Sequence, residues 1–291
     1  MTLLPVSAED NEIRALTAKE YEQIRRLAYQ QFGLNLENKQ QLVAARLTKQ
    51  IRALGLRSFE EYYRHVTEDR TGKSLEAMID ALTTNHTSFF REPAHFDFFK
   101  SVLLPQIQNR KQIAVWSAAC STGEEPFSIA LTLLDTLGET SGAKIRILAT
   151  DISTCVLAQA ERGAYQAARF GNLSHTYLRR YVLKGEGCWK DWFLMKKEVR
   201  SLVEFRRLNL MESFPHNGIF PVIFCRNVMI YFDRQKQQEV VGRLAQAIEP
   251  GGYLFVGHSE SLSSIQHSLQ YVAPAIYRKA GSLTNQTASK R

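Results

Sequence analysis

The feature that most constrains the fold is an alternation of short apolar, β-branched runs with helical stretches after Pro93. The runs read IAVWSA, KIRILATD and FPVIFC, and helical patterns follow them at 126–137, 153–163 and 233–248. Strands that alternate with helices form a parallel sheet covered by helices. Two later runs, GGYLFVGHS and YVAPAIYRK, have no long helix between them and predict a sheet that ends antiparallel.

The first 85 or so residues show a different pattern, that of short helices with clear end signals. The signals are two capping boxes and two terminal glycines: Thr17 with Glu20, Ser58 with Glu61, Gly33, and Gly55. We therefore predict a small helical domain ahead of the α/β domain.

Five segments follow from these patterns. They are a flexible start (1–16), a helical domain (17–88), an α/β domain (89–280), a strand-rich β insertion within it (about 185–208) and a disordered tail (281–291).

Composition excludes several classes of protein. No apolar segment approaches the roughly 18 to 20 residues that span a bilayer, and the start lacks the pattern of a signal peptide. The four cysteines show no CxxC and no histidine at metal-ligand spacing, so neither disulfides nor a metal site is expected. We expect a cytoplasmic protein with no membrane insertion. Its formal charge of +8 favours acidic partners, which include nucleic acid, anionic lipid and acidic protein surfaces.

The loop after the first predicted strand reads VWSAACSTGEEPF, at 115–127. Aligned with GxGxxG, it places Ala118 where the first glycine makes the tight turn and Cys120 where the second lets the backbone approach pyrophosphate. It keeps only the third, Gly123, which serves close packing. Glu124 and Glu125 stand where a helix N-terminus would otherwise attract an anion. The loop therefore favours a cationic ligand over a phosphate.

Polar residues follow the other predicted strands. Asp151 ends the second strand and can accept both ribose hydroxyls, while Asn209 offers an amide that suits an adenine edge. Asn227 and Tyr231 follow the fourth strand. Together with the loop, these residues describe a site for S-adenosylmethionine.

Each of these polar residues has a simpler interpretation as a cap or turn residue. The cysteines at 120, 155 and 225 are interpreted as core thiols, and His86, His95 and His258 lack a partner at defined spacing that would indicate catalysis.

Four long stretches resemble the chemotaxis receptor methyltransferase (CheR) family, and the similarity covers nearly the whole chain. The stretches are LTTNHTSFFRE (82–92), VWSAACSTGEEPFSIA (115–130), FCRNVMIYFD (224–233) and GHSE (257–260). The resemblance implies a Rossmann-like S-adenosylmethionine-dependent methyltransferase domain that methylates glutamate side chains of bacterial chemoreceptors and releases S-adenosylhomocysteine. It also implies these cofactor contacts: Asn85, Thr87, Arg91, Glu125, Asp151, Asn209, Leu210, Asn227 and Val228. Cys120 departs from the family, which more often has a smaller residue there.

A glutamate substrate agrees with the absence of an obvious base, because a carboxyl group with a pKa near 4.3 is already ionised at neutral pH. Arg91 and Tyr231 are the candidates for orienting that carboxylate. The alternative for Arg91 is an ion pair with Glu125 or with the cofactor carboxylate.

The helix expected from about Asn38 to Leu54 has an apolar side and a basic side. The apolar side comprises Val43, Leu47, Ile51 and Leu54, and the basic side comprises Lys39, Arg46, Lys49 and Arg52. The basic side is either solvated or, as the resemblance implies, binds the glutamate-rich helical cytoplasmic domain of chemoreceptors. Some family members also bind a C-terminal receptor peptide through the β insertion, and others do not.

Two other functions remain as alternatives. A nucleic-acid methyltransferase would suit the positive charge, but RNVMIY stands where enzymes that methylate exocyclic amines carry a (D/N)PPY turn. We therefore expect no nucleic-acid partner. The other alternative is a sensor that binds the cofactor without transferring methyl.

Overall fold

The computed structural model describes residues 13–138, 143–171, 173–214 and 219–281. The chain divides into two compact units, Met1–Thr84 and Asn85–Arg291. This division falls a few residues before the predicted boundary at 88/89. The predicted flexible start and disordered tail lie mostly outside the described residues.

The described part of the first unit, from residue 13 onward, contains four helices. They are α1 (Ala18–Phe32), α2 (Gln40–Ala53), α3 (Phe59–Glu68) and α4 (Lys73–Leu82). Their inward faces bury apolar side chains such as Ile24, Leu47 and Met78. The fold class predicted for this part of the chain is confirmed.

The end signals of these helices are largely confirmed. Thr17 and Glu20 form a complete capping box, and Gly33 ends α1 in the left-handed conformation. The second box is only half formed, because Ser58 accepts from the Glu61 N–H while the Glu61 carboxylate accepts from the backbone N–H of Arg57.

The second unit contains seven helices and ten strands among the described residues. Its helices are α5 (Pro93–Phe98), α6 (Leu104–Ile107), α7 (Glu124–Leu137), α8 (Thr154–Arg162), α9 (His175–Tyr181), α10 (Lys197–Arg200) and α11 (Arg234–Ala247). Its strands are β1 (Gln112–Ala118), β2 (Lys144–Asp151), β3 (Ala164–Gln166), β4 (Val182–Lys184), β5 (Trp192–Met195), β6 (Val203–Arg207), β7 (Phe220–Cys225), β8 (Ile248–Phe255), β9 (Leu269–Ala273) and β10 (Ile276–Lys279).

The main sheet has seven strands in the order β6-β2-β1-β7-β8-β10-β9. The first five are parallel, β10 runs antiparallel to β8, and β9 runs antiparallel to β10. The predicted parallel sheet with an antiparallel end is confirmed. Both faces are covered: Val115 of β1 belongs to one apolar cluster with Phe127 of α7, and Trp116 belongs to the other with Leu244 of α11.

The structure corrects the bounds of the β insertion. A separate antiparallel sheet has the order β3-β5-β4 and therefore draws on residues from Ala164 to Met195. Strand β6, which the predicted range 185–208 included, is instead the edge strand of the main sheet, paired with β2. An apolar, β-branched run reads the same in either sheet, so only the pairing distinguishes them.

None of the helices in the described ranges is both long and apolar enough to cross a membrane.

Candidate functional site

The carboxyl ends of the central strands meet at one edge of the main sheet. Ala118 at the end of β1 pairs with Thr150 of β2 on one side and with Cys225 of β7 on the other. The loops that follow these strands therefore emerge side by side, at the place where open α/β sheets bind ligands.

The loop after β1 has an unusual backbone. Ala119, Ser121 and Gly123 have φ values of 73°, 50° and 96°, in the left-handed region that non-glycine residues rarely adopt. The Thr150 carbonyl accepts hydrogen bonds from the N–H groups of Ala119 and Cys120, at 2.7 and 2.8 Å. These bonds from the neighbouring strand stabilise the tight turn without the first two glycines of a dinucleotide loop.

Gly123 is required by close packing, as predicted. A Cβ atom on this residue would lie 2.8 Å from the Cβ of Ala160 and 2.8 Å from the hydroxyl of Tyr165. Helix α8 therefore packs directly against the start of α7, which keeps the loop after β1 against the sheet.

Asp151 connects two loops. Its carboxylate accepts from the N–H of Ser121 at 2.8 Å and from the N–H of Ser153 at 3.0 Å. The turn role that sequence analysis gave as the alternative is therefore present. A carboxylate has about four acceptor positions and can bind ribose hydroxyls.

Glu124 does not offer its negative charge to a cationic ligand, which its position at the start of a helix had led us to expect. Its side chain is fully buried, and its carboxylate accepts from the Thr122 hydroxyl at 2.6 Å and pairs with Arg169 at 2.8 Å. Its charge is neutralised inside the protein and is not presented to a ligand.

Glu125 lies at the strand ends, with its side chain 11% exposed. Its carboxylate accepts from the Ser117 hydroxyl at 2.7 Å and from Arg226 at 2.9 Å. Burial raises the pKa of Glu125, and the Arg226 guanidinium opposes that shift.

Sequence analysis missed Arg226, which is 5% exposed. Its guanidinium lies 2.9 Å from Glu125 and 2.9 Å from Glu92, and it donates to the Arg91 carbonyl at 2.6 Å. A cation next to the apolar run FPVIFC has to be paired when it is buried, and this was the available signal. Arg226 joins the loop after β7 to α7 and to the start of α5.

Arg91 has different contacts from those of Arg226. Its guanidinium donates to the His86 carbonyl at 2.9 Å. The alternative that paired it with Glu125 is wrong, because Arg226 holds that carboxylate. Nearby, the Asn85 carbonyl accepts from the Ser121 hydroxyl at 2.9 Å, which brings the segment with Thr87 to the loop after β1.

Asn209 lies beside Asp151. The Leu208 N–H donates to the Asp151 carbonyl at 2.9 Å, and Asn209 itself is 6% exposed. Its side-chain oxygen accepts from the N–H of Met211 at 3.0 Å, so part of the amide has the turn role that was the simpler interpretation. Leu210 is also buried.

The loop after β7 contains Asn227, Val228 and Tyr231. Asn227 has a φ of 59°, and a 3₁₀ turn follows at Met229–Tyr231. All three predicted site residues are partly buried there. The predicted residues of the second unit thus lie on the segments that gather at this sheet edge.

Two protein-family models match this chain. The model of the CheR methyltransferase SAM-binding domain matches residues 85–277, and that of the CheR all-alpha domain matches residues 19–83. The chain belongs to the CheR methyltransferase family. It is 38% identical over 281 residues to chemotaxis protein methyltransferase 2 of Pseudomonas aeruginosa, covering 96% of this chain and 99% of that protein. It is 39% identical over 266 residues to the chemotaxis protein methyltransferase of Escherichia coli K12, covering 90% and 91%.

The predicted family and the predicted cofactor, S-adenosylmethionine, are therefore confirmed. The carboxylate of Asp151, the amide of Asn209 and the absence of the first two glycines of a dinucleotide-binding loop suit a nucleoside without a pyrophosphate.

The histidines are arranged in a way that sequence spacing did not show. Nδ1 of His95 lies 3.4 Å from a Glu92 oxygen, and Nε2 of His258 lies 3.9 Å from it. The possible ligand atoms of Glu92, His95 and His258 lie within 4.8 Å of one another, but the Arg226 cation 2.9 Å from the same Glu92 oxygen opposes a metal ion there. Burial, with Arg226, lowers the pKa of His95 to about 4.

Two cysteines match their prediction and one does not. Cys120 and Cys225 are buried, and burial raises the pKa of both thiols. Cys155 was predicted as a core thiol, which is wrong: it is exposed, because it lies on the outer side of α8.

The basic side of α2 is not uniform. Lys49 and Arg52 are exposed, and Lys39 donates to the Asn35 carbonyl at 3.1 Å. Arg46 donates to the Leu82 carbonyl at the end of α4, and to the Thr84 hydroxyl at 2.7 Å. Arg46 therefore has a structural role. The apolar side is confirmed except for Leu54, which caps the helix and is 49% exposed.

Proposed function

We propose that this CheR family member transfers the methyl group of S-adenosylmethionine to glutamate side chains of chemoreceptors in the cytoplasm. The main support is that the chain matches both CheR domain models. It also matches, over nearly its whole length, proteins named as chemotaxis methyltransferases. The products would be a glutamate methyl ester and S-adenosylhomocysteine.

The protonation states at the site agree with a substrate that needs no base. The lowered pKa of His95 makes it a weak base, and the raised pKa of Cys225 keeps it a thiol at neutral pH. A glutamate side chain is already ionised there. When bound, S-adenosylmethionine supplies a methyl carbon on a sulfonium. A carboxylate oxygen forms the new C–O bond, and the electrons of the breaking C–S bond stay on sulfur.

The protein then has to bind and orient the two reactants. We assign the orientation of the substrate carboxylate to Arg91 and Tyr231, which can donate to its oxygens. We assign the cofactor contacts to the remaining predicted residues and to Arg91: Asn85, Thr87, Glu125, Asp151, Asn209, Leu210, Asn227 and Val228.

Cofactor labelled in the methyl group tests this function. We expect label on cytoplasmic receptor fragments, none on nucleic acid, and release of the label in mild alkali, because esters hydrolyse there and methylated amines do not. Tyr231→Phe should lower kcat and leave the affinity for S-adenosylhomocysteine nearly intact. Label on nucleic acid, or cofactor binding without transfer to either substrate, would contradict the proposal.

We also propose that the exposed cations of α2 contact the acidic helical domain of the receptor. Lys49 and Arg52 are free to do so, and Lys39 is exposed despite its backbone contact. Arg46 is removed from the predicted docking set, because it holds the end of α4.

The small sheet is the proposed place for a receptor C-terminal peptide. Its edge strand β4 has Leu183 50% exposed, and Trp189 nearby is 59% exposed. An extended peptide can add to such an edge. Titration of receptor C-terminal peptides into the protein tests this, and Leu183→Asp should abolish any binding that is seen.

A further inference from the structure

The GHSE segment, residues 257–260, is the part of the family match that no role so far explains. It follows β8, and its Glu260 is only 6% exposed. One Glu260 oxygen accepts from the N–H of Gly257 at 2.6 Å and from that of Asn227 at 2.7 Å. The other accepts from the N–H of Ile230 at 3.2 Å. A single carboxylate thus connects the loop after β8 to the loop after β7.

The two loops approach so closely that a side chain at position 257 would have to displace its neighbours. A Cβ atom there would lie 2.5 Å from the Asn227 side-chain nitrogen and 2.7 Å from the Glu260 carboxylate. Asn227 at this contact has a φ of 59°. Asparagine is one of the few non-glycine residues that adopt this left-handed conformation readily, and the Glu260 carboxylate stabilises it here by accepting from the Asn227 N–H.

These bonds fix the turn that precedes Tyr231. Glu260 binds the N–H groups of Asn227 and Ile230, on both sides of Val228. The Tyr231 N–H then donates to the Val228 carbonyl at 3.1 Å, which closes the turn. The direction in which the Tyr231 side chain leaves the backbone is therefore set by a residue of the loop after the neighbouring strand, β8.

The geometry points to Glu260 as a positioning residue for methyl transfer: it gathers N–H groups from two loops and thereby fixes the turn that carries Tyr231. This inference rests on the proposed function, in which Tyr231 orients the substrate carboxylate. A glutamine cannot replace it fully, because an amide has one acceptor oxygen and its NH₂ would face an N–H donor.

The test compares Glu260→Gln with Glu249→Gln. Glu249 lies near the start of β8, away from the site, and pairs with Arg110 at 2.6 Å. We expect Glu260→Gln to lower kcat on the order of 10- to 100-fold while the KM for receptor fragments changes little, because a small misplacement of an orienting group affects the transition state most. Glu249→Gln should keep the parent kcat. Both variants are assayed well below their melting temperatures.

Gly257→Ala provides a second test that keeps the charge of Glu260. It forces the same two loops apart, so we expect the same loss of kcat with little change in KM. A parent kcat in either folded variant would overturn the inference, as would equal losses in Glu260→Gln and Glu249→Gln. Failure of the proposed function would look different, because the unmodified protein would then label no receptor fragment.

Discussion

Positive charge serves two purposes in this molecule, and Arg226 and the exposed side of α2 show the difference. Arg226 is 5% exposed and lies 2.9 Å from both Glu92 and Glu125, whereas Lys49 and Arg52 point into solvent. A buried cation offsets part of the cost of burying the carboxylates around it, whereas an exposed one is screened by water and salt. The first therefore organises a site, and the second remains available to an approaching partner.

The largest effect is expected from Arg226→Met. This change leaves Glu125 and Glu92 without their cation, and removing one member of a buried ion pair typically costs ~3–5 kcal/mol of unfolding free energy. Urea denaturation measures it. The control is Arg206→Met, because Arg206 pairs with Glu204 at the surface and should change stability by less than about 1 kcal/mol. Equal losses in the two variants would remove the distinction between the two kinds of charge.

Asp151→Ala extends the comparison to a buried anion that backbone N–H groups hold. We expect the binding free energy of S-adenosylhomocysteine to weaken by ~1.5–3 kcal/mol, because a hydrogen bond to a charged group is lost. Calorimetry at a temperature where the variant is folded measures it. Asp135→Ala is the control, since Asp135 pairs with Lys100 outside the proposed site. An unchanged affinity in Asp151→Ala would contradict the ribose assignment.

A smaller effect is expected within α2. Arg46→Ala removes hydrogen bonds to Leu82 and Thr84 and should cost about 1 kcal/mol of unfolding free energy. Lys49→Ala, on the same helix, should stay within about 0.5 kcal/mol of the parent. If Arg46→Ala were equally neutral in thermal or urea unfolding, Arg46 would belong with the exposed cations after all.

The smallest effect on stability is expected from Lys49→Glu combined with Arg52→Glu, with unfolding free energy within about 0.5 kcal/mol of the parent per site. The double variant should instead lower kcat/KM for receptor fragments at low salt. Its kcat/KM should also depend less on salt concentration than that of the parent. Lys111→Glu with Lys144→Glu makes the same change of charge at exposed positions by the starts of β1 and β2. Identical kinetics in the two double variants would mean that this face of α2 does not contact the receptor.

The sequence by itself determined the main helices and strands of the parallel sheet and their order along the chain. Strand β2 occupies the predicted run KIRILATD, and α8 lies between its predicted end residues, Ser153 and Gly163. Such features depend on side chains within one or two turns of each other, so periodicity and end signals predict them. The long motifs also determined the family and the cofactor.

Only the tertiary structure decided which groups meet. Arg226 and Glu125 are 101 positions apart, and the sequence analysis offered Arg91, not Arg226, as a partner for that carboxylate. Strand β6 could have joined either sheet, and Cys155 could have faced inward. In each case the outcome depends on contacts between segments distant in the chain, which are fixed by how the elements pack and not by the local pattern of any one of them.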